Sequence, residues 1–200
     1  MGFILVAIVF GAYWFAPRAP QNAITNFPSS GTDIIAFGDS LVEGVGSSEG
    51  KDFVSLLSVQ IGQPIINLGV SGNTTADALA RISELEKYHP KVVLLLLGGN
   101  DYIQRVPPEM TFTNLATIIQ KIQASGAVVL LLGIRGGVVV DHFNQQFEQL
   151  RDTYKTAYVP DMLEGLFGNN QYMSDEVHPN DAGYAIIASR IYPVLQPLLK

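Results

Sequence analysis

Short apolar runs alternate with amphipathic segments along the chain from residue 33 onward. Five runs are apolar enough to be buried on both faces of a parallel sheet, namely residues 34–37, 65–68, 92–97, 127–132 and 157–159. Other segments have apolar residues three or four positions apart, as helices do, namely residues 53–61, 76–88, 113–125 and 143–154 and the stretch after Pro179. The pattern predicts an α/β fold with a five-stranded parallel sheet between helices.

The first part of the chain has a different pattern. Residues 2–16 form an uncharged apolar run of about 15 residues, which is long for a signal-peptide core and short of the roughly 20 residues that span a bilayer. No basic side chain precedes the run and prolines follow it, so an uncleaved anchor is favoured over a cleaved signal, with a buried helix as the alternative. We therefore expect a signal or anchor segment over residues 1–17, a linker over 18–32 and one globular domain over 33–200, with membrane association through residues 2–16.

Composition excludes several classes of function. The chain has 200 residues, a net charge of -6 and no cysteine. An acidic chain without a Lys/Arg stripe is a poor ligand for nucleic acid, so we expect no nucleic-acid partner. The lack of cysteine removes disulfides, a thiolate nucleophile and sulfur-ligated metals. The expected molecule is a monomer.

Polar and glycine-rich segments follow the predicted strands, where the ligand crevice of an open parallel sheet lies. Residues 38–40 follow the first strand, residues 71–74 the second and residues 98–101 the third. A fourth such segment, residues 175–178, lies near the end of the chain. We expect these four segments to meet at one edge of the sheet.

The four segments contain the parts of a serine hydrolase site. Ser40 can act as the nucleophile, with His178 as the base that takes its proton. Asp175 lies three positions before His178 and can orient the imidazole ring. The tetrahedral oxyanion needs fixed donors, for which the backbone N–H groups of Ser40 and Gly72 and the side-chain amide of Asn100 are candidates.

These blocks resemble those of the SGNH (GDSL) hydrolase family, in the family's order. The resemblance covers residues 33 to about 198, and residues 71–74 and 97–101 are similar to the bacterial thioesterase, arylesterase and lysophospholipase branch. It implies a flavodoxin-like three-layer αβα sandwich, no cofactor, no metal, and the roles given above for the candidate residues.

The resulting hypothesis is a serine esterase or thioesterase of broad acyl specificity that forms an acyl-enzyme on Ser40. We expect it in the cell envelope, periplasmic or extracellular, with an acyl ester or thioester as its substrate. A carbohydrate acetyl esterase is the alternative within the class. An inactive, tethered glycan- or lipid-binding module is the alternative from another class.

Rival residues exist for each catalytic role. Ser48 lies in a G-x-S-x-G pattern, but no strand directly precedes it as a nucleophile elbow requires. His142, beside Asp141, is the main competitor of His178, whereas His89 precedes the third strand and belongs at the opposite edge of the sheet. Asp101 is interpreted as a turn or helix-start residue.

The substrate pocket is the least specified part of the sequence. Residues 102–108 and 135–141 follow the third and fourth strands and are expected to form its walls. Tyr102, Arg135 and Gly136 are the candidate substrate-binding residues. Three consecutive valines after the glycine pair at 136 and 137 fit either an apolar lip or the core.

Overall fold

A computed structural model of the protein describes residues 23–134 and 142–200. A five-stranded sheet in the order β2-β1-β3-β4-β5 forms its centre, and each neighbouring pair of strands is parallel. The strands are β1 (Asp33–Gly38), β2 (Ile65–Gly69), β3 (Pro90–Leu96), β4 (Val128–Leu132) and β5 (Ala157–Val159). All five predicted strands are confirmed, and so is the parallel α/β fold.

Helices connect the strands and cover the sheet. They are α1 (Ser40–Glu43), α2 (Phe53–Ile61), α3 (Thr75–Ala80), α4 (Gly99–Ile103), α5 (Pro108–Ala124), α6 (His142–Tyr154) and α7 (Asp181–Leu195), with 3₁₀ helices at Ile82–Lys87 and Gln196–Leu199. Helices α2 and α7 pack together, and α5 packs between α3 and α6. Residues 92–97 and 128–132 of the central strands are fully buried, as the middle layer of an αβα sandwich requires.

The helix boundaries differ from the sequence pattern in two places. The helix predicted over residues 76–88 is interrupted at Arg81, where α3 ends and the first 3₁₀ helix begins. The helix predicted over 113–125 starts five residues earlier, with Pro108 at its first position, where a missing N–H costs no hydrogen bond. Helices α1 and α4 were not predicted, because four or five residues are too few to show a periodicity.

The strand order defines where a ligand crevice lies. The chain leaves β1 for β2 on one side, and β3 lies on the other side of β1. This reversal is a topological switch point, and the connections diverge there beyond the carboxyl ends of β1 and β3. Ser40 and Asn100 lie in the two segments that follow those strand ends.

The segment before β1 is bonded to the opposite, amino-terminal edge of the sheet. The backbone N–H of Thr25 donates to the carbonyl of Lys155, and the Asn26 side-chain amide donates to the carbonyls of Gln123 and Ala127 at 2.8 and 3.0 Å. The described end of the predicted linker is therefore held against the domain. Within residues 23–134 and 142–200 we find no helix of the length and hydrophobicity needed to cross a bilayer. The apolar segment at residues 2–16 lies outside the described residues.

Candidate active site

A cavity of about 560 Å³ opens at the carboxyl ends of the strands. That volume lies in the range of small-molecule sites. The segments that follow all five strands contribute to its lining, together with α6 and the loop before α7. The described lining residues are Asp39, Ser40, Leu41, Ser71, Gly72, Gly99, Asn100, Tyr102, Ile103, Ile134, Phe143, Asp161, Leu163, Glu164, Gly165, Phe167, Val177 and His178. All four sequence segments singled out for their chemistry supply residues to it.

The turn after β1 places Ser40 at the floor of the cavity. Asp39 caps α1 by accepting the backbone N–H of Leu41 at 3.0 Å, which makes Ser40 the first residue of a one-turn helix. Gly38 permits this tight turn, because a Cβ there would overlap the carbonyl of Leu96 on the neighbouring strand. The Ser40 side chain is almost buried, with 8% of the residue exposed, and borders the cavity.

Ser40, His178 and Asp175 form a continuous hydrogen-bonded chain. The His178 Nε2 atom lies 3.1 Å from Ser40 Oγ, and its Nδ1 atom lies 2.8 Å from Asp175 Oδ2. The other Asp175 oxygen accepts the backbone N–H groups of Val177 and His178 at 2.8 and 2.7 Å. The hydrogen bond from His178, together with these backbone bonds, lowers the pKa of Asp175 to about 2, so the carboxylate is ionised at neutral pH.

The loop that carries His178 is fixed at both ends. Met173 and Pro179 form an antiparallel bridge across its base, and Ser174 donates its backbone N–H to the carbonyl of His178 at 2.9 Å. Asn180 then caps α7 by accepting the N–H groups of Ala182 and Gly183. The imidazole position is therefore set by the backbone on either side of it.

Gly72 and Asn100 border the same cavity as Ser40. Gly72 has a φ of +80°, and nothing lies within 4 Å of the position a Cβ would take, so its backbone is open to the cavity. The Asn100 side-chain amide donates one hydrogen to the carbonyl of Asn73 at 3.0 Å. An amide nitrogen has two hydrogens, so one remains for a ligand oxygen.

Asp39 is a buried carboxyl beside Ser40. It is 2% exposed, and burial is the main reason that its pKa rises to about 7. The N–H of Leu41 and the proximity of His178 act in the opposite direction, and Asp101 reinforces the rise. The sequence interpretation treated Asp39 as part of a turn and did not foresee its burial.

Asp101 is buried and joins three helices. It lies in the first turn of α4, as expected of a helix-start residue, but only 1% of it is exposed. Its two oxygens accept the backbone N–H of Thr75 at 2.8 Å, the hydroxyl of Thr75 at 2.6 Å and the hydroxyl of Thr111 at 3.2 Å. The carboxylate thus ties α3 and α5 to the helix that carries Asn100.

The rival residues lie away from the cavity or outside the described residues. Ser48 is exposed in the loop between α1 and α2, and its backbone N–H donates to Asp181 at 2.7 Å. His89 is exposed at the amino end of β3, beside Asp33. The side chain of His142 lies outside the described residues, as does Asp141. Among the residues described here, no group of three or more acidic or histidine side chains is arranged to hold a metal ion.

The substrate walls differ in part from the sequence expectation. Tyr102 lines the cavity, whereas Arg135 and Gly136 lie outside the described residues. The segment after β5, from Asp161 to Phe167, forms a wall that the sequence interpretation missed. The rule that loops after strand ends form the crevice, applied to β5 as it was to β3 and β4, would have found it.

Comparison with known proteins adds independent information. The model of the GDSL-like Lipase/Acylhydrolase family matches residues 36–186. The chain is 33% identical to "Esterase TesA" of Pseudomonas aeruginosa over 83% of this chain and 89% of that protein. It is 30% identical to "Thioesterase 1/protease 1/lysophospholipase L1" of Escherichia coli K12 over 93% of this chain and 94% of that protein.

Solved structures agree with these sequence matches. The crystal structure of TesA superposes with a TM-score of 0.77 at 31% identity, covering 84% of this chain and 100% of that chain. The psychrotrophic esterase EstA from Pseudoalteromonas sp., in a structure inhibited by monoethylphosphonate, has a TM-score of 0.76 at 27% identity, covering 84% of this chain and 98% of that chain.

Proposed function

Because the chain belongs to the GDSL-like lipase/acylhydrolase family, we propose that it is a serine esterase or thioesterase acting through an acyl-enzyme on Ser40. The observation that carries this proposal is the 3.1 Å separation between Ser40 Oγ and His178 Nε2. The other ring nitrogen of His178 is bonded to Asp175. A serine hydroxyl becomes an effective nucleophile only when a base lies within hydrogen-bonding reach. This pair satisfies that requirement in the absence of substrate.

In the acylation step, Ser40 Oγ attacks the carbonyl carbon of the substrate while its proton passes to His178 Nε2. Asp175 accepts a hydrogen bond from Nδ1–H, which keeps Nε2 free to act as the base and stabilises the imidazolium that forms. The tetrahedral intermediate then collapses, the bond to the alcohol or thiol breaks, and the Nε2 proton protonates that leaving group. The products of this step are the free alcohol or thiol and an ester on Ser40.

Three N–H groups are proposed to bind the oxyanion of that intermediate. Ser40 is the first residue of α1, where backbone N–H groups have no acceptor within the helix. Gly72 presents its backbone without a side chain, and Asn100 has one amide hydrogen free of Asn73. Such preorganised donors are worth about a hundredfold or more each in turnover.

Deacylation repeats the same chemistry with water. His178 removes a proton from a water molecule, the resulting hydroxide attacks the Ser40 ester, and collapse returns the proton to Ser40 Oγ. The carboxylic acid leaves, and the triad is restored. Both half-reactions use the same donors and the same base.

The cavity supports an apolar acyl or aryl group as the recognised part of the substrate. Ile134, Phe143 and Leu163 are buried beneath it, and Tyr102 and Phe167 stand half exposed at its edge. Burial of such groups gains about 25 cal/mol per Å² of apolar surface removed from water. Turnover of p-nitrophenyl esters is therefore expected to rise from acetyl to medium acyl chains. A clear preference for acetylated sugars would instead support the carbohydrate acetyl esterase.

A fluorophosphonate probe tests the mechanism directly. We expect the protein to be labelled, with labelling lost in Ser40→Ala and kept in Ser48→Ala, because Nε2 of His178 is bonded to Ser40, whereas Ser48 is exposed in a loop and bonded through its backbone to Asp181. The relative EstA is described as inhibited by a phosphonate, which supports the choice of probe. No labelling of the unmodified protein would favour an inactive binding module, and labelling of Ser40→Ala would exclude Ser40 as the nucleophile.

We also propose that residues 1–17 anchor the domain to a membrane in the cell envelope. The described chain enters the domain along the amino-terminal edge of the sheet, and the cavity lies at the other end of the strands. An anchored domain would therefore hold its cavity away from the bilayer, facing dissolved substrates. Alkaline extraction of cell membranes tests the anchor, since a released protein would contradict it.

A further inference from the structure

Arg81 lies at the junction between α3 and the following 3₁₀ helix, and its guanidinium points inward. Its side chain is 15% exposed. Nε donates to the side-chain oxygen of Asn73 at 2.6 Å, and one terminal nitrogen donates to the carbonyls of Gly38 and Leu68 at 2.8 and 3.1 Å. The other terminal nitrogen faces Glu84 at 3.2 Å. The guanidinium thus bonds the ends of two strands and the loop after the second.

Apart from Glu84, the acceptors lie in the segments that carry two of the proposed oxyanion donors, Ser40 and Gly72. Gly38 immediately precedes the turn of Ser40, and Leu68 begins the approach to the loop of Gly72. Asn73 is the residue whose carbonyl accepts the side-chain amide of Asn100 at 3.0 Å. One side chain therefore bonds the segments of Ser40 and Gly72 directly and reaches that of Asn100 through Asn73.

The chemistry of arginine suits this position. A guanidinium is planar and holds its N–H groups in a fixed fork, whereas a lysine ammonium is a point charge on a flexible stem. The carbon at the centre of the fork lies 4.2 Å from the ring centroid of Phe37, so the plane also packs against an aromatic face. A lysine could keep the positive charge but could not bond three acceptors in different directions from one rigid group.

We propose that Arg81 is a positioning residue of the oxyanion hole, holding the segments of Ser40, Gly72 and Asn100 at the spacing that the transition state requires. The inference rests on the proposed function. Loss of the fork leaves the triad intact, because neither His178 nor Asp175 contacts it among the described hydrogen bonds. Its effect is therefore on stabilisation of the oxyanion and not on proton transfer.

The test compares Arg81→Lys with Glu84→Gln in the full chain, using a p-nitrophenyl ester and a fluorophosphonate. Arg81→Lys is expected to lower kcat/KM and the rate of fluorophosphonate labelling by a similar factor, roughly tenfold to a hundredfold, because both reactions place an oxygen in the same hole. The pH at which activity is half maximal should not move. Glu84→Gln removes only the negative charge of the outer partner of the same arginine and should keep wild-type rates.

Folding is checked by thermal unfolding, and a second variant separates positioning from stability. Asn73→Ala removes one acceptor of the fork, and its effect on kcat/KM should be less than additive with that of Arg81→Lys, because the two act through one contact. Folded Arg81→Lys with wild-type rates, or a shifted pH profile, would overturn the inference. Absence of turnover and labelling in the unmodified protein would instead overturn the proposed function.

Discussion

His178 is held through both nitrogens of its ring, one by Ser40 and one by Asp175. The carboxylate has an additional anchor, since its second oxygen accepts two backbone N–H groups of the same turn. With a pKa of about 2, Asp175 stays ionised at every pH above that value. The tautomer with a proton on Nδ1 is therefore favoured throughout the range in which an esterase would work.

Replacing Asp175 with Asn should remove that tautomer preference. An amide NH₂ facing Nδ1 favours the ring with its proton on Nε2, which then points at Ser40 and cannot accept a proton. We expect kcat to fall about a thousandfold or more, as wrong-tautomer variants of such triads do. Initial rates at pH 8 and a circular dichroism spectrum measure the effect and the fold. A loss of less than tenfold would contradict the orienting role.

Asp39 gives a prediction for stability against pH. Its pKa rises from 3.8 to about 7 on burial, so the folded state binds this proton more tightly than the unfolded chain does. The corresponding stability is present below about pH 4 and is lost as the pH rises to about 7. In Asp39→Asn, which keeps an oxygen for the N–H of Leu41, that loss should disappear. Between about pH 4 and pH 7, the difference in unfolding free energy between the two proteins should change by about 2–4 kcal/mol in favour of the variant.

Urea denaturation of both proteins at pH 4, 6 and 8 measures this difference, since every other titrating group is shared and cancels. If the unfolding free energies of the two proteins differ by the same amount at all three pH values, Asp39 titrates alike in the folded and unfolded states, and the prediction is wrong.

The loop between α1 and α2 supports the loop that carries His178. Gly46 has a φ of +93°, and a Cβ there would overlap the Ser174 hydroxyl, meet the Pro179 carbonyl and press on His178. Backbone of one loop therefore lies directly against backbone of the other. This contact joins a loop near the start of the domain to a loop near its end.

Substitution of Gly46 by Ala should displace the His178 loop. We expect kcat/KM to fall about tenfold or more, with a parallel fall in fluorophosphonate labelling. Gly50→Ala is the matched control, because Gly50 also has a positive φ, +72°, but no atom within 4 Å of the added carbon. Both variants carry the backbone strain of about 1–2 kcal/mol, and only the first carries the overlap. Equal activities of the two variants would contradict the proposed support.

Elements of different length were predicted with different success. The five strands follow from their continuous apolar runs. The longer helices follow from apolar periodicity, because the buried face of a helix repeats over two turns or more. The one-turn helices α1 and α4 carry Ser40 and Asn100, and their formation depends on caps and on packing at the strand ends. The interruption of the helix at Arg81 also escaped prediction, since two acceptors of its side chain lie far away in the sequence, on β1 and β2.

In the molecule as a whole, the cavity and the incoming chain lie at opposite ends of the sheet. The carboxyl end carries the cavity, and the amino end receives the chain from residues 23–32. Ser29 adds a hydrogen bond to the carbonyl of Gly126 there, beside those of Thr25 and Asn26. These residues belong structurally to the domain.

Two truncations test that division. A protein lacking residues 1–22 keeps every described contact and should retain kcat/KM within about twofold. A protein lacking residues 1–32 loses at least three side-chain hydrogen bonds at the amino end, each worth about 0.5–1.5 kcal/mol. Its melting temperature should fall by roughly 5–10 °C relative to the shorter truncation. Equal melting temperatures would place the domain boundary at residue 33.

The strands, the fold class and the short motifs whose chemistry pointed to a serine hydrolase followed from the sequence alone. These are local properties, because the periodicity of an element and the spacing within a motif involve residues close together in the chain. The sequence could not show that Ser40 and His178, 138 positions apart, lie 3.1 Å from each other. Nor could it show the wall after β5, the burial of Asp39 and Asp101, or the acceptors of Arg81 on β1 and β2. Each of these depends on how segments that are remote in the sequence pack together. Their distances in space are set by the whole hydrophobic core, which no short stretch of sequence describes.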